Sequence, residues 1–229
     1  MTKQRNLDVQ GIGMTSQRTR NRLVKQLREM GIRHEGVLYM ISKVPRHLFI
    51  DEALASRAYE NIALPIGYGQ TISQPYIVAR MTELALAGPE PVNKVLEVGT
   101  GSGYQAAVLA PLVGEVFTIE RIAALYQEAR TLLTALGYRN IHSFLSDGSW
   151  GLEREAPFDV IMVTAAPEEV PPALLQQLAV GGRLVIPVGK PGFIQTLQVI
   201  QRLSENDFKT SHYESVQFVP LISESRQGN

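Results

Sequence analysis

The chemistry in this 229-residue sequence rests on a run of glycines and a few acids. Val95-Leu96-Glu97-Val98, an apolar run carrying one acid, meets Gly99-Thr100-Gly101-Ser102-Gly103-Tyr104, a glycine-rich turn that opens a helix. A strand covered on both faces reads this way, and glycines there let a ligand approach the backbone more closely than any side chain permits. Glu115-Val116-Phe117-Thr118-Ile119-Glu120 then ends in an acid where the next parallel strand should end. A carboxylate there can accept hydrogen bonds from both hydroxyls of a ribose. Ser146-Asp147-Gly148-Ser149 follows a third strand, where an Asp side chain and a glycine amide can meet the amino group and ring of an adenine.

The spacing selects among nucleotide-like ligands. A dinucleotide fingerprint needs a small residue at position 104, where helix and strand pack closely, and this chain has Tyr104 there. Glu97 lies two residues before the first glycine, where it would repel a pyrophosphate and attract an ammonium or sulfonium group. S-adenosylmethionine carries both cations and no phosphate. The donor-site candidates are therefore Glu97, Gly99, Thr100, Gly101, Gly103, Glu120, Asp147 and Gly148. Each has an ordinary alternative: Glu97 can cap a turn, Glu120 can cap the helix after it, and Asp147-Gly148 is common turn chemistry. Their order on three successive strands favours the site.

Composition removes several function classes. Lys plus Arg equals Asp plus Glu at 22 each, so no basic excess is available to grip a long polyphosphate. Cysteine is absent, which excludes disulfides, thiolate ligands and a cysteine nucleophile, and suits a reducing cytoplasm. His34, His47, His142 and His212 are scattered without ligand spacing, so no metal is expected, and His47 beside Arg46 reads as structural. No segment approaches the ~18 uninterrupted apolar residues of a membrane span, and none has secretory character. A nucleic-acid adenine methyltransferase would show Asp/Asn-Pro-Pro-aromatic where this chain has Thr164-Ala165-Ala166-Pro167.

The elements that would hold these residues follow from periodicity. Strands are predicted at Val95 to Val98, Val116 to Glu120, Ile141 to Leu145, Phe158 to Val163 and Leu184 to Val188, with helices at Tyr104 to Pro111, Ile122 to Leu136 and Pro172 to Leu178. This alternation predicts an α/β fold with a doubly wound, mostly parallel sheet and helices on both faces. Runs at 195–203 and 208–218 predict a C-terminal antiparallel hairpin. Before the sheet come a basic amphipathic helix from Ser16 with Arg18, Arg20, Arg22, Lys25 and Arg28 outward, short helices near Val37 to Val44 and Asp51 to Ala58, and a helix starting at Pro75. Leu64 to Pro75 looks too rich in Gly and Pro for regular structure, residues 1–15 read as a flexible extension, and the lone Trp150 packs near the adenine or in the core. The expected organisation is one domain over 16–229, with an acceptor-side segment (16–90), a donor-binding core (91–190) and C-terminal strands and tail (191–229).

Further residues carry a resemblance over about Ser16 to Leu221. Val44-Pro45-Arg46-His47-Leu48-Phe49, Ala58-Tyr59-Glu60-Asn61 and Gly69-Gln70-Thr71-Ile72-Ser73-Gln74-Pro75 resemble the protein-L-isoaspartate O-methyltransferase family, as do the glycine loop, Asp147-Gly148, Pro157-Phe158-Asp159, Thr164-Ala165-Ala166, Gly181-Gly182-Arg183-Leu184 and Phe218-Val219-Pro220-Leu221. The resemblance implies a Rossmann-like S-adenosylmethionine-dependent fold and methyl transfer to the α-carboxylate of L-isoaspartyl residues in damaged proteins, with D-aspartyl sites as a second class. The methyl ester then closes to a succinimide, whose hydrolysis partly restores the normal linkage. Ser73 is implied as the active-site hydroxyl. Thr71 and Ile72 would line the pocket shared by donor and acceptor, and Gln70, Val219, Pro220 and Leu221 would contact the substrate.

Read without the family, Ser73 equally serves as a cap for the helix at Pro75. Two other classes fit the donor loop: a small-molecule carboxyl methyltransferase and a protein that senses S-adenosylmethionine without catalysis. Neutral charge and the lack of a coiled-coil pattern point to a monomer with protein or peptide substrates and no nucleic-acid or membrane partner.

Overall fold

The computed structural model describes residues 8–222. Helices α1 (Gln17–Glu29) and α2 (Glu35–Lys43) lead into a small hairpin, β1 (Leu64–Gly67) with β2 (Gln70–Ile72), and then α3 (Pro75–Ala85). The sheet region follows as β3 (Lys94–Val98), α4 (Tyr104–Leu109), β4 (Glu115–Glu120), α5 (Ala123–Ala135), β5 (Ile141–Leu145), β6 (Phe158–Val163), α6 (Pro172–Gln176), β7 (Leu178–Val188), β8 (Gln195–Arg202) and β9 (Phe208–Val216). The seven strands lie in the order β5-β4-β3-β6-β7-β8-β9. Pairings from β5 across to β7 are parallel, and β7-β8 and β8-β9 are antiparallel. The chain winds outward from β3 in both directions, so a crevice forms beyond the carboxyl ends of β3 and its neighbours.

Strand alternation divides the core by face. Val95, Val116, Val160, Met162 and Val185 pack against Met81 and Leu84 of α3 and Ala106 and Leu109 of α4. Leu96, Val98, Phe117, Ile119, Ile161, Val163 and Leu184 form the other face with Leu174 of α6. A third cluster joins Leu23, Leu27, Val37 and Ile41 to Leu64 and Ile72 of the hairpin and to Tyr104 at the start of α4. The acceptor-side segment is thereby packed directly onto the helix that follows the glycine loop. No helix among the described residues is long and apolar enough to cross a membrane.

The structure corrects several expectations. The Leu64 to Pro75 segment contains regular structure, because Tyr68 and Gly69 both take positive φ (54° and 70°) and Gly67 pairs with Gln70. Two positive-φ residues make the tight turn whose twist suits a hairpin. β7 starts at Leu178 and runs through Gly181-Gly182, six residues before its expected start, and α6 ends at Gln176.

Of the expected flexible extension, residues 1–7 lie outside the described residues, while residues 8–15 are docked. Arg20 Nη2 donates to the carbonyls of Val9 (2.6 Å) and Gln10 (3.0 Å), and Gly13–Thr15 form a 3₁₀ turn. Arg20 is consequently buried rather than outward-facing, since main-chain carbonyls satisfy its guanidinium. Trp150 is not a core residue, being 42% exposed.

Candidate active site

The glycine loop is shaped by backbone conformation. Gly99, Gly101 and Gly103 have φ of 98°, 52° and 87°, a region that side chains disfavour. A Cβ on Gly99 would sit 2.5 Å from Thr164 Oγ1, which itself donates to the Gly99 carbonyl at 2.6 Å. The end of β6 therefore clamps the loop that leaves β3. Gly103 caps α4 and abuts Leu133, while Tyr104 is buried edge-on to Phe49 at 5.5 Å.

Glu120 closes the loop from β4. Its Oε2 accepts from the Gly101 amide and its Oε1 from the Ile122 amide, both at 2.9 Å. Each oxygen retains a lone pair, so the carboxylate can still accept two hydroxyls while its position is fixed by the loop. Asp147 Oδ1 accepts from the amide (2.9 Å) and hydroxyl (2.7 Å) of Ser149, which turns the chain so that Gly148 faces the crevice. A Cβ on Gly148 would come within 2.3 Å of Val98 Cγ1.

The crevice brings together Gly99, Thr100, Gly101, Glu120 and Gly148 on the donor side. Gln70, Thr71, Ile72 and Ser73 form one further wall, and Val219, Pro220 and Leu221 form another. Glu97, Gly103 and Asp147 stand outside this lining.

For Glu97 this is a correction, and strand alternation explains it. Glu97 points to the same face as Val95, toward α3 and α4, and is fully buried beneath the loop. Thr118 donates to its Oε2 at 2.5 Å, and the Thr118 and Thr100 hydroxyls are 2.6 Å apart. Since Thr118 spends its proton on Glu97, Thr100 donates to Thr118. Burial pushes the Glu97 carboxyl up to about 8, against the opposing pull of the Thr118 hydrogen bond and with a further push from the Glu120 charge.

On the acceptor side, Ser73 is half-buried between β2 and α3. The helix cap falls at Gln74, and the Tyr76 amide of the first turn donates to Asn61 Oδ1 at 2.9 Å. Capping therefore falls to Asn61, and the Ser73 side chain makes no cap hydrogen bond. The Ser73 carbonyl accepts from Arg46 Nη2 at 2.8 Å. Sequence reasoning missed both Asn61 and Arg46, whose partners lie 15 and 27 residues away.

The C-terminal wall is tied to the segment that follows β6. The Ala166 amide donates to the Val219 carbonyl (2.8 Å) and the Leu221 amide to the Ala166 carbonyl (2.9 Å). His47 has a structural setting, with Nδ1 2.9 Å from the Tyr59 hydroxyl and Nε2 2.8 Å from the Asp8 carbonyl.

Comparisons with known proteins agree with this geometry. Residues 17–226 match the family model described as protein-L-isoaspartate(D-aspartate) O-methyltransferase. A protein-L-isoaspartate O-methyltransferase of Hahella chejuensis is 57% identical over 209 residues, covering 91% of this chain and 98% of that protein. One from Alkalilimnicola ehrlichii is 57% identical over 217 residues, covering 95% of this chain and 97% of its own. Among solved structures, a protein-L-isoaspartate O-methyltransferase aligns with a TM-score of 0.80 at 27% identity, covering 92% of this chain and 67% of its own. A Plasmodium falciparum structure, described as a putative protein-L-isoaspartate O-methyltransferase in complex with S-adenosyl-L-homocysteine, shares the fold with a TM-score of 0.76 at 24% identity, covering 89% of this chain and 98% of its own. With the glycine loop, Ser73 and Val219 to Leu221 facing one crevice, and the match running nearly the whole length of the chain, this protein belongs to the protein-L-isoaspartate (D-aspartate) O-methyltransferase family.

Proposed function

We propose that the crevice carries out the family's reaction, methyl transfer from S-adenosylmethionine to the α-carboxylate of an isoaspartyl residue, with Ser73 orienting the acceptor. One observation carries this reading: Ser73, the glycine loop, Glu120 and the Val219 to Leu221 segment all line the same crevice. The donor fits the residues present. A Cβ on Gly99 or Gly148 would collide with Thr164 or Val98, so these positions keep the loop in its shape only as glycine, and Glu120 keeps acceptor capacity for two ribose hydroxyls. When bound, S-adenosylmethionine supplies a methyl group on a sulfonium that departs as a neutral thioether.

The demands on the protein are those of alignment. An α-carboxylate with a pKa of ~3.5 is already ionised at neutral pH, so the site needs no general base. Ser73 can donate its hydroxyl proton to one carboxylate oxygen and leave the other directed along the transfer axis. Orientation of this kind contributes on the order of 7 to 11 kcal/mol to rate. Thr71 and Ile72 extend the wall beside Ser73, Ile72 buried and Thr71 exposed, and Val219 to Leu221 limit water from the opposite side. Gly148 and Asp147 shape the adenine end.

Incubation with label in the donor methyl group and with isoaspartyl and aspartyl forms of one peptide tests the function. Label on the isoaspartyl form alone is expected, whereas label on both forms or on neither overturns it. A D-aspartyl form added to the same series measures the second substrate class. The reading includes a monomer of the cytoplasm, supported by the balanced charge and the cysteine-free composition. Light scattering should return a single 25.3 kDa chain.

A further inference from the structure

Arg46 is 0% exposed and is held by main-chain carbonyls and by the Tyr104 side chain, with no carboxylate among its hydrogen-bond partners. Nε donates to Ala58 at 2.8 Å, and Nη2 donates to Ser73 at 2.8 Å and to Ile62 at 3.4 Å. Its guanidinium carbon lies 4.8 Å from the centre of the Tyr104 ring. Nη1 and the Tyr104 hydroxyl are both buried and lack a hydrogen-bond partner among the described residues. Burial lowers the Arg46 pKa to about 10, so the group is charged at neutral pH. A buried charge with no carboxylate beside it is costly, and the carbonyls of Ala58, Ile62 and Ser73 would accept from an uncharged donor as well, so holding the backbone does not by itself account for the charge.

The attachments of Arg46 point to a use for it. Ser73 belongs to the acceptor wall, and Tyr104 is the first residue of α4, directly after Gly103 of the donor loop. Methyl transfer cancels a carboxylate charge against a sulfonium charge. A cation bonded to the carboxylate would hold the ionised ground state more tightly than the transition state and so slow the reaction. A cation placed behind one peptide group still attracts the anion, polarises that peptide, and forms no bond that must weaken as the methyl moves.

We propose that Arg46 is a positioning residue of the acceptor site: lodged between the Ser73 carbonyl and the Tyr104 ring, its buried charge draws the substrate carboxylate to Ser73 without bonding to it. The proposal rests on Ser73 being the acceptor-side hydroxyl of the isoaspartyl reaction.

Arg46→Met and Arg46→Lys are compared with the unaltered protein for kcat and KM on an isoaspartyl peptide, affinity for S-adenosylhomocysteine, and melting temperature. Arg46→Met should raise KM about tenfold or more, with kcat and S-adenosylhomocysteine affinity each changing less than about threefold. Arg46→Lys keeps the charge and should recover a large part of the lost KM. An unchanged KM, an equal loss in both variants, or a loss confined to kcat or to melting temperature overturns the proposal.

If Arg46→Met does not fold, Arg46→Gln, which keeps a donor for the carbonyls without the charge, decides together with Arg46→Lys. With S-adenosylhomocysteine bound, the unaltered protein and Arg46→Lys should prefer the isoaspartyl peptide over its α-carboxamide by about tenfold, and Arg46→Gln should narrow that ratio. Equal binding of the two peptides by the unaltered protein, or an unaltered ratio in Arg46→Gln, rejects the role. Absence of turnover by the unaltered protein would instead reject the isoaspartyl reading itself.

Discussion

The hydroxyl of Thr118 donates to Oε2 of Glu97 at 2.5 Å, joining β4 to β3 beneath the glycine loop through a carboxyl that is completely buried. The Glu97 pKa stands at about 8 in the folded protein against 4.5 as its ordinary value. Between those values the native state keeps a proton that the unfolded chain releases. Stability of the donor-free protein should therefore fall as pH rises through that window, by up to roughly 1.4 kcal/mol per pH unit from this group, and level off above it. Glu97→Gln removes the titration and keeps an acceptor for Thr118. Melting curves from pH 5 to 9 should show a flatter profile for the variant, and parallel profiles would mean that Glu97 is ionised throughout.

Ser73→Ala tests the acceptor wall. Hydrogen bonds to charged groups contribute about 1.5 to 3 kcal/mol, so kcat/KM on an isoaspartyl peptide should drop ~10- to 100-fold. Calorimetry should find S-adenosylhomocysteine affinity close to that of the unaltered protein, because the donor loop is untouched. Turnover at the original rate would remove Ser73 from the mechanism.

Gly99→Ala combines a φ of 98° with a Cβ 2.5 Å from Thr164 Oγ1. A strained backbone residue of this kind costs about 1 to 3 kcal/mol, and here the strain falls on the donor loop. Lower thermal stability and at least tenfold weaker S-adenosylhomocysteine binding are expected. Adding Thr164→Ala relieves the contact but leaves the φ, so it should restore only part of the loss. Full restoration would show that the contact alone was responsible.

Removal of residues 1–10 takes two carbonyls from the buried Arg20 guanidinium and one from His47. Unsatisfied buried donors cost about 1 to 3 kcal/mol each, so the urea midpoint should fall. An unchanged midpoint would mean that water or a rearranged side chain takes their place.

The donor side was largely legible because its signals are local. Short apolar runs alternating with helical segments marked β3 to β6, and the positive-φ glycines sit where the turn had to be. Glu97 was misdirected, since its spacing from Gly99 was weighed while the face it takes on β3, shared with Val95, was not. The β1-β2 hairpin was hidden because its turn is Tyr68-Gly69 rather than the usual Asn-Gly. Arg20 and Arg46 could not be read at all. Their acceptors are main-chain carbonyls brought close by folding, and such carbonyls carry no signature in residue identity.

The bridge between Ala166 and Pro220 has a consequence for the order in which the crevice is assembled. Every strand of the sheet precedes Val219 to Leu221 along the chain, and Ala166, three residues beyond the end of β6, supplies the main-chain groups that this segment pairs with. During synthesis the glycine loop can thus take shape while this wall of the crevice is still unmade. A nascent chain stopped before Val219 would carry the loop with one side of the crevice open to water.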